Sequence, residues 1–488
     1  MLFNSIIFIV IFLPATLLGW YLLQQLKWAG WARIFLIGMS LWFYGYYNVR
    51  YLWILIFSVL FNYTCARLLN MSNSQKRRKL FLLCGITGNL AILFYFKYFN
   101  FFIENCNFFL HTHWQIESIA LPLGISFYTF QQISYVADSY RGNTAGYSFL
   151  EYACFVSFFP QLIAGPIVIH DEFIPQLSER RNRKPDAEGM FDGFSLFILG
   201  LAKKVLLADA LAVIVNSEYR GSIPYLDVVS AWVTAICYML ELYFDFSGYC
   251  DMARGIGKML GFQLPVNFCS PLMATSVRDF WRRWHITLSR FLTSYIYIPL
   301  GGSRRGKAIQ CRNIFIVFLL SGLWHGANWT FVIWGLLHGL AMIWETLLPT
   351  LRFRKDWANR LVTGLFVTFT FSIFRSDTPA MAWTMVKRLF GGGWTGFILG
   401  LCNTLQLPET FPVRKLLEIT APQLQNSFYV CCLLALLGIS VRLILGKTAE
   451  EWLENRGRSV KGLVLLAVLF VWSFVSLSQV STFLYFDF

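Results

Sequence analysis

The sequence predicts an all-α polytopic membrane protein with about eleven spans. Three observations carry that expectation. Of the 488 residues, 57% are hydrophobic and only 14% are charged, well below the roughly 25% charged residues of soluble domains. Mean hydropathy is +0.54. The basic residues gather in short clusters between long apolar stretches: Lys76 to Lys79, Arg180 to Lys184, Arg304 to Arg312, Arg352 to Lys355 and Arg456 to Lys461.

Apolar stretches occur around residues 2–23, 34–69, 80–103, 119–137, 149–169, 190–216, 226–250, 312–348, 358–375, 428–446 and 462–484. About 20 residues cross a bilayer as a helix, so 34–69 and 312–348 are long enough for a hairpin or a span plus a re-entrant piece. The first stretch has no basic residue ahead of it and continues past Pro14, which reads as an uncleaved membrane helix rather than a secretory signal. Phe158 to Leu177 holds three prolines and His170, and reads as a span ending in a re-entrant or interfacial turn. From Gly391 to Asn426 hydrophobicity breaks. The expected organisation is a membrane core over 1–390, a polar connecting loop over 391–427 and C-terminal transmembrane helices over 428–488.

The net charge of +15 fits basic loops kept on the cytoplasmic side. No basic tract is interleaved with exposed aromatics, so nucleic acid is not an expected partner; the lipid bilayer is. The eleven cysteines include no CxxC pair, which argues against a disulfide framework or a zinc site. No metal and no bound cofactor are expected.

Polar, titratable groups are costly in such a chain, and they concentrate between Arg278 and Gly339. Three of the six histidines fall there: His285, His325 and His338. Read as one helix, Val277 to Leu292 places Arg278, Arg282, His285 and Ser289 on one arc. Val277, Trp281, Trp284, Leu288 and Phe291 form a separate apolar stripe. The polar arc suits a cytosolic-side cavity for an anion; it equally suits an amphipathic helix lying at the headgroups. His325 lies in SGLWHGANW beside Trp324, with Asn328 able to cap the next helix. Its ordinary pKa near 6.5 suits a general base, although a buried histidine bonded to a carbonyl would look the same in sequence. His338 follows thirteen residues later. On one continuous helix it would face away from His325, so either a new helix begins after His325 or His338 plays a supporting part. Glu241, Asp245 and Asp251 add acids at membrane depth, as structural ion pairs with the arginines or as walls of a cavity. There is no GxSxG elbow, P-loop or dinucleotide fingerprint.

With these residues in view, the chain resembles the membrane-bound O-acyltransferases, within them the bacterial branch typified by the membrane subunit of alginate O-acetylation. The resemblance rests on FLP (Phe12 to Pro14), FKYFNFF (Phe96 to Phe102), LPLGISFYTFQQISYVADSYRG (Leu121 to Gly142), FFPQLIAGPI (Phe158 to Ile167), LYFDFSGYCDMARGIG (Leu242 to Gly257), DFWRRWHITLSRFL (Asp279 to Leu292), YIPLGGSRRG (Tyr297 to Gly306) and GLWHGANWTFVIWGLLHG (Gly322 to Gly339). It implies a helical fold around a central tunnel, with an essential histidine at His325 and a second polar residue at His285. It further implies a thioester donor (acetyl-coenzyme A or an acyl-carrier thioester) entering from the cytosol, and a polysaccharide acceptor on the other side. The polymer could be alginate-like, cellulose or peptidoglycan. An extracytoplasmic SGNH-type acetyltransferase partner and a bacterial cytoplasmic (inner) membrane location belong to the same implication. Glu241 departs from the pattern, which is expected to be neutral there. D-alanyl transfer to teichoic acid, or transport without acyl chemistry, are the alternatives.

Overall fold

The computed structural model describes residues 1–488 except 27, 145, 180–183, 351–352, 395, 397, 480–482 and 485–488. Parts of two basic clusters, Arg180 to Arg183 and Arg352, and the end of the last apolar stretch therefore lie outside the described residues. Every regular element described is a helix. Among the described residues, seven helices are long and apolar enough to cross a membrane: Phe8–Gln25, Arg50–Met71, Gln75–Leu110, Val228–Met259, Lys307–His325, Trp329–Leu347 and Pro422–Ile444. Other apolar stretches form shorter helices, such as Ala29–Gly45 and Val460–Val475. The chain is a multi-pass, all-α membrane protein. The two long apolar stretches are each a helical hairpin, Ala29–Gly45 with Arg50–Met71 and Lys307–His325 with Trp329–Leu347. The 391–427 connection holds two short helices, Ile398–Asn403 and Phe411–Thr420.

The chain forms two compact units. The first comprises Met1–Ile198, Tyr249–Asn267 and Thr287–Leu300; the second comprises Leu199–Gly248, Phe268–Ile286 and Gly301–Phe488. Within the first, a buried amide network ties four helices together. Asn62 Nδ2 donates to Asn89 Oδ1 (3.1 Å) and to Gln132 Oε1 (2.8 Å), and the Tyr152 hydroxyl reaches the same Gln132 oxygen (3.2 Å). Away from water these groups must satisfy one another, so the network fixes helix register as well as adding stability. His170 is buried here, its Nε2 3.2 Å from Asp138 Oδ2, an oxygen that also accepts from the Tyr295 hydroxyl.

The second unit is built on the hairpin Lys307–His325 and Trp329–Leu347. A Cβ on Gly335 would lie 2.4 Å from the Phe318 carbonyl, and one on Gly322 would lie 2.5 Å from the Phe331 carbonyl. Neither distance is possible, so only glycine lets the two backbones approach this closely. The hairpin fixes a polarity. The Lys307 end adjoins the basic residues Arg304 and Arg305, and the far end of Trp329–Leu347 leads to Arg354 and Lys355. The helix Asp356–Arg375 then runs back, and Asn328 Nδ2 donates to the Asp377 carbonyl (2.7 Å). The Lys307 and Glu345 ends of the hairpin thus share one side, flanked by basic residues, and the His325–Asn328 end is its opposite.

Gly335→Ala tests the packing. Alanine would gain about 1 kcal/mol of helix propensity, but overpacking of a tight contact costs about 1–3 kcal/mol. The expected outcome is a lower melting temperature of the purified protein in detergent, with reduced activity. An unchanged or raised melting temperature would contradict the close approach.

Candidate functional site

The RDFWRRWHITLSR stretch is not one helix. Val277–Arg283 and Ile286–Leu292 are separate, with Trp284 extended and His285 at φ 44° between them. The expected arc through Arg278, Arg282, His285 and Ser289 is therefore broken. The reason is tertiary. The Ser276 hydroxyl caps the first helix by accepting from Asp279 N (3.0 Å), and the Glu345 carboxylate accepts from the N–H groups of Val277 (2.7 Å) and Arg278 (3.0 Å). The second helix is held in the first unit, where Thr287 bonds Asn267 through both its N–H (3.2 Å) and its hydroxyl (2.9 Å). The turn between two anchored helices falls on His285. A left-handed non-glycine residue costs about 1–3 kcal/mol, and such strain concentrates at functional positions.

The arginines differ in role. Arg278 donates to Thr346 Oγ1 (2.6 Å), at the basic end of the hairpin; Arg282 is exposed. Asp279 and Arg283 pair at 2.8 Å, as their spacing predicts. Ser289 and Asp251 belong to the first unit, and the three histidines to the second.

The second unit brings His285, His325 and His338 into one aromatic chain. Trp324 lies between His285 (ring centroids 5.8 Å) and His325 (4.9 Å); Trp334 lies between His325 (5.0 Å) and His338 (4.9 Å). Lys307–His325 ends at His325 and the next helix begins at Trp329, so the continuous-helix geometry that would turn His338 away does not hold. The antiparallel return puts His325 against Trp334, and His338 meets the same ring from one turn further along its own helix. His338 nevertheless has both ring nitrogens committed. Nδ1 accepts from the Trp281 indole (3.2 Å), which leaves the proton on Nε2, 3.0 Å from Thr370 Oγ1. A residue so tied can position Trp281 and Trp334 but has no ring nitrogen left for an incoming group.

His325 is buried, and its ring meets Phe374 at 5.4 Å. Phe374 and its neighbour Phe331 line a cavity of about 350 Å³ together with Asn328, Lys204, Asp209, Glu241, Asp245, Arg375 and Leu484, among others. Asn328 caps its helix by accepting from Thr330 N (3.1 Å). Asp245 pairs with Lys204, which also meets Asp209 at 2.9 Å; the expected pairing with arginines of the RRWH stretch is replaced by this lysine. Lys204 and Arg375 are the residues that the sequence reading missed. The signal for Lys204 was a charged pair, Lys203 and Lys204, inside an apolar stretch. It sits on a π-helical turn, Lys203–Ala208, a distortion frequent at functional sites.

His285 packs edge-on against Phe246 (4.9 Å) and is fully buried. Burial lowers its pKa from 6.5 to about 3, so the folded protein keeps the ring neutral at working pH. The sign follows: the unfolded chain takes up a proton below pH 6.5 and the folded chain does not. Stability is thus fully present above pH 6.5 and falls by about 1.4 kcal/mol per pH unit below it, down to about pH 3. Asn accepts left-handed backbone, so His285→Asn should fold. Its melting temperature should fall less between pH 7 and pH 4.5 than that of the unsubstituted protein; equal falls would refute the assignment.

Residues 36–375 match the sequence model of the MBOAT, membrane-bound O-acyltransferase, family. A peptidoglycan O-acetyltransferase of Helicobacter pylori is 37% identical over 100% of this chain and 98% of its own length. A probable alginate O-acetylase of Pseudomonas aeruginosa is 37% identical over 80% of this chain and 75% of its own. A teichoic acid D-alanyltransferase of Bacillus subtilis is 24% identical over 61% of this chain and 76% of its own. With its histidines joined through tryptophan beside a polar cavity, the chain belongs to the membrane-bound O-acyltransferase family and is an O-acyltransferase of the membrane.

Proposed function

We propose that the enzyme moves an acetyl group from a cytosolic thioester to a hydroxyl on the opposite face of the bacterial cytoplasmic membrane, for O-acetylation of an envelope polysaccharide. The observation that carries this reading is the polarity of the second unit. Arg278 and the basic loops lie at one end, and His325 with the polar cavity lies at the other. Peptidoglycan is the first polymer to test, because the relative similar over the whole chain is a peptidoglycan O-acetyltransferase. An extracytoplasmic SGNH-type acetyltransferase is the proposed partner that completes delivery.

In the proposed reaction the acceptor oxygen attacks the thioester carbonyl carbon. The C–S bond breaks, the acetyl ester forms, and the thiolate leaves. His325 takes the hydroxyl proton and passes it to the thiolate, which restores the base. The thioester is already activated, so most of the catalysis is orientation plus proton transfer. His285, held neutral, serves as an N–H donor to the developing oxyanion rather than as a cation. Arg278 and Arg282 stand where the phosphates of a coenzyme or carrier prosthetic group would arrive.

Removing a general base costs about 10²–10⁴-fold in rate. His325→Ala, expressed in a strain lacking the gene, should leave less than a hundredth of the base-released acetate on purified peptidoglycan, with normal membrane levels of the protein. Alginate-type and cellulose fractions are measured in parallel. Unchanged acetate on every polymer would defeat the proposal, and lost D-alanine ester would favour teichoic acid transfer.

A further inference from the structure

The cavity beside Phe374 contains more charge than its internal pairs use. Lys204 is committed to Asp245 and Asp209. Asp245 also accepts from the backbone N–H of Leu484 (3.0 Å), which forms part of the wall. Arg375 uses one terminal nitrogen on Asn216 (3.1 Å) and faces Asp377 with the other (3.4 Å), with its guanidinium over the Tyr219 ring. Apart from Asp245 Oδ1, which is ion-paired with Lys204, two buried atoms of lining residues remain without a hydrogen-bond partner among the described residues: Glu241 Oε2 and Arg375 Nε. Glu241 is only 2% exposed. A polar atom left unsatisfied at such a site costs about 1–3 kcal/mol, more when it is charged, so its retention calls for a ligand.

One open acceptor and one open donor on the same cavity complement a hydroxyl, which both donates and accepts. A carboxylate or phosphate would satisfy the arginine but has no hydrogen to offer the glutamate oxygen. An ammonium would do the reverse. The volume of about 350 Å³ lies at the small end of ligand pockets, roughly 300–1,000 Å³, which suits one ring-sized group rather than a length of polymer. Phe374 sets this cavity against His325.

We propose that Glu241 and Arg375 form the acceptor seat: Glu241 accepts from, and Arg375 donates to, a neutral hydroxyl-bearing group that enters this cavity to be acetylated. Glu241 is then a specificity residue on the acceptor side and takes no part in thioester cleavage. This rests on the acetyl-transfer reading above.

The test separates the two halves of the reaction. Purified protein in lipid nanodiscs is given labelled acetyl-coenzyme A, and thioester cleavage to water is measured. The same variants are expressed in the deletion strain, and ester acetate is measured on envelope polymers. Glu241→Leu should lower polymer acetate more than tenfold while leaving thioester cleavage within twofold. Glu241→Gln, which keeps an accepting oxygen, should restore polymer acetate to within about threefold. Equal loss of both activities in Glu241→Leu, or full polymer acetate, would overturn the proposal. If the leucine variant does not accumulate, Arg375→Met is read in the same two assays with the same expectations. A lack of thioester cleavage and of polymer acetate in the unsubstituted protein would instead count against acetyl transfer itself.

Discussion

The contact between Gly322 and Gly335 is the constraint on which the second unit depends. It lets two helices approach to backbone contact, and the approach decides which side chains meet. With wider spacing, Trp334 would not reach His325 across the hairpin. Van der Waals packing, rather than hydrophobic transfer, drives helices together in lipid, so small residues at the seam matter more here than in a soluble bundle. The histidines are consequently set in a rigid wall of indole and phenyl rings.

Within that wall, polar groups fall into two kinds. Some are saturated: His338 through Trp281 and Thr370, Lys204 through its two aspartates, and the Asn62–Asn89–Gln132 network of the first unit. These hold geometry. The others keep capacity in reserve, as Glu241 and Arg375 do. In a dry interior this difference separates support from chemistry more sharply than burial does, since both kinds are buried.

Much of this was legible in the sequence. Apolar stretch lengths gave the hairpins, and the WHGAN stretch marked the end of one hairpin helix and the cap of the next. The break at Trp284 and His285 was not legible, because RRWHIT contains neither glycine nor proline. The two helices either side of the break are each anchored at their start by a distant residue: the first by Glu345, 67 residues away from Arg278, and the second by Asn267, 20 residues before Thr287. Long-range anchors of this kind override local propensity and leave no local mark. The cavity was hidden for a similar reason. Lys204, Glu241 and Arg375 come from three separated stretches, and of these only Glu241 was singled out in the sequence, as an acid at membrane depth.

The size of the cavity carries a consequence for the product. Under the proposed acceptor seat, a space of about 350 Å³ takes one ring-sized group at a time. An enzyme of that kind would work distributively, and the acetyl marks along a chain would be statistically independent, their density set by encounter frequency and not by a starting point.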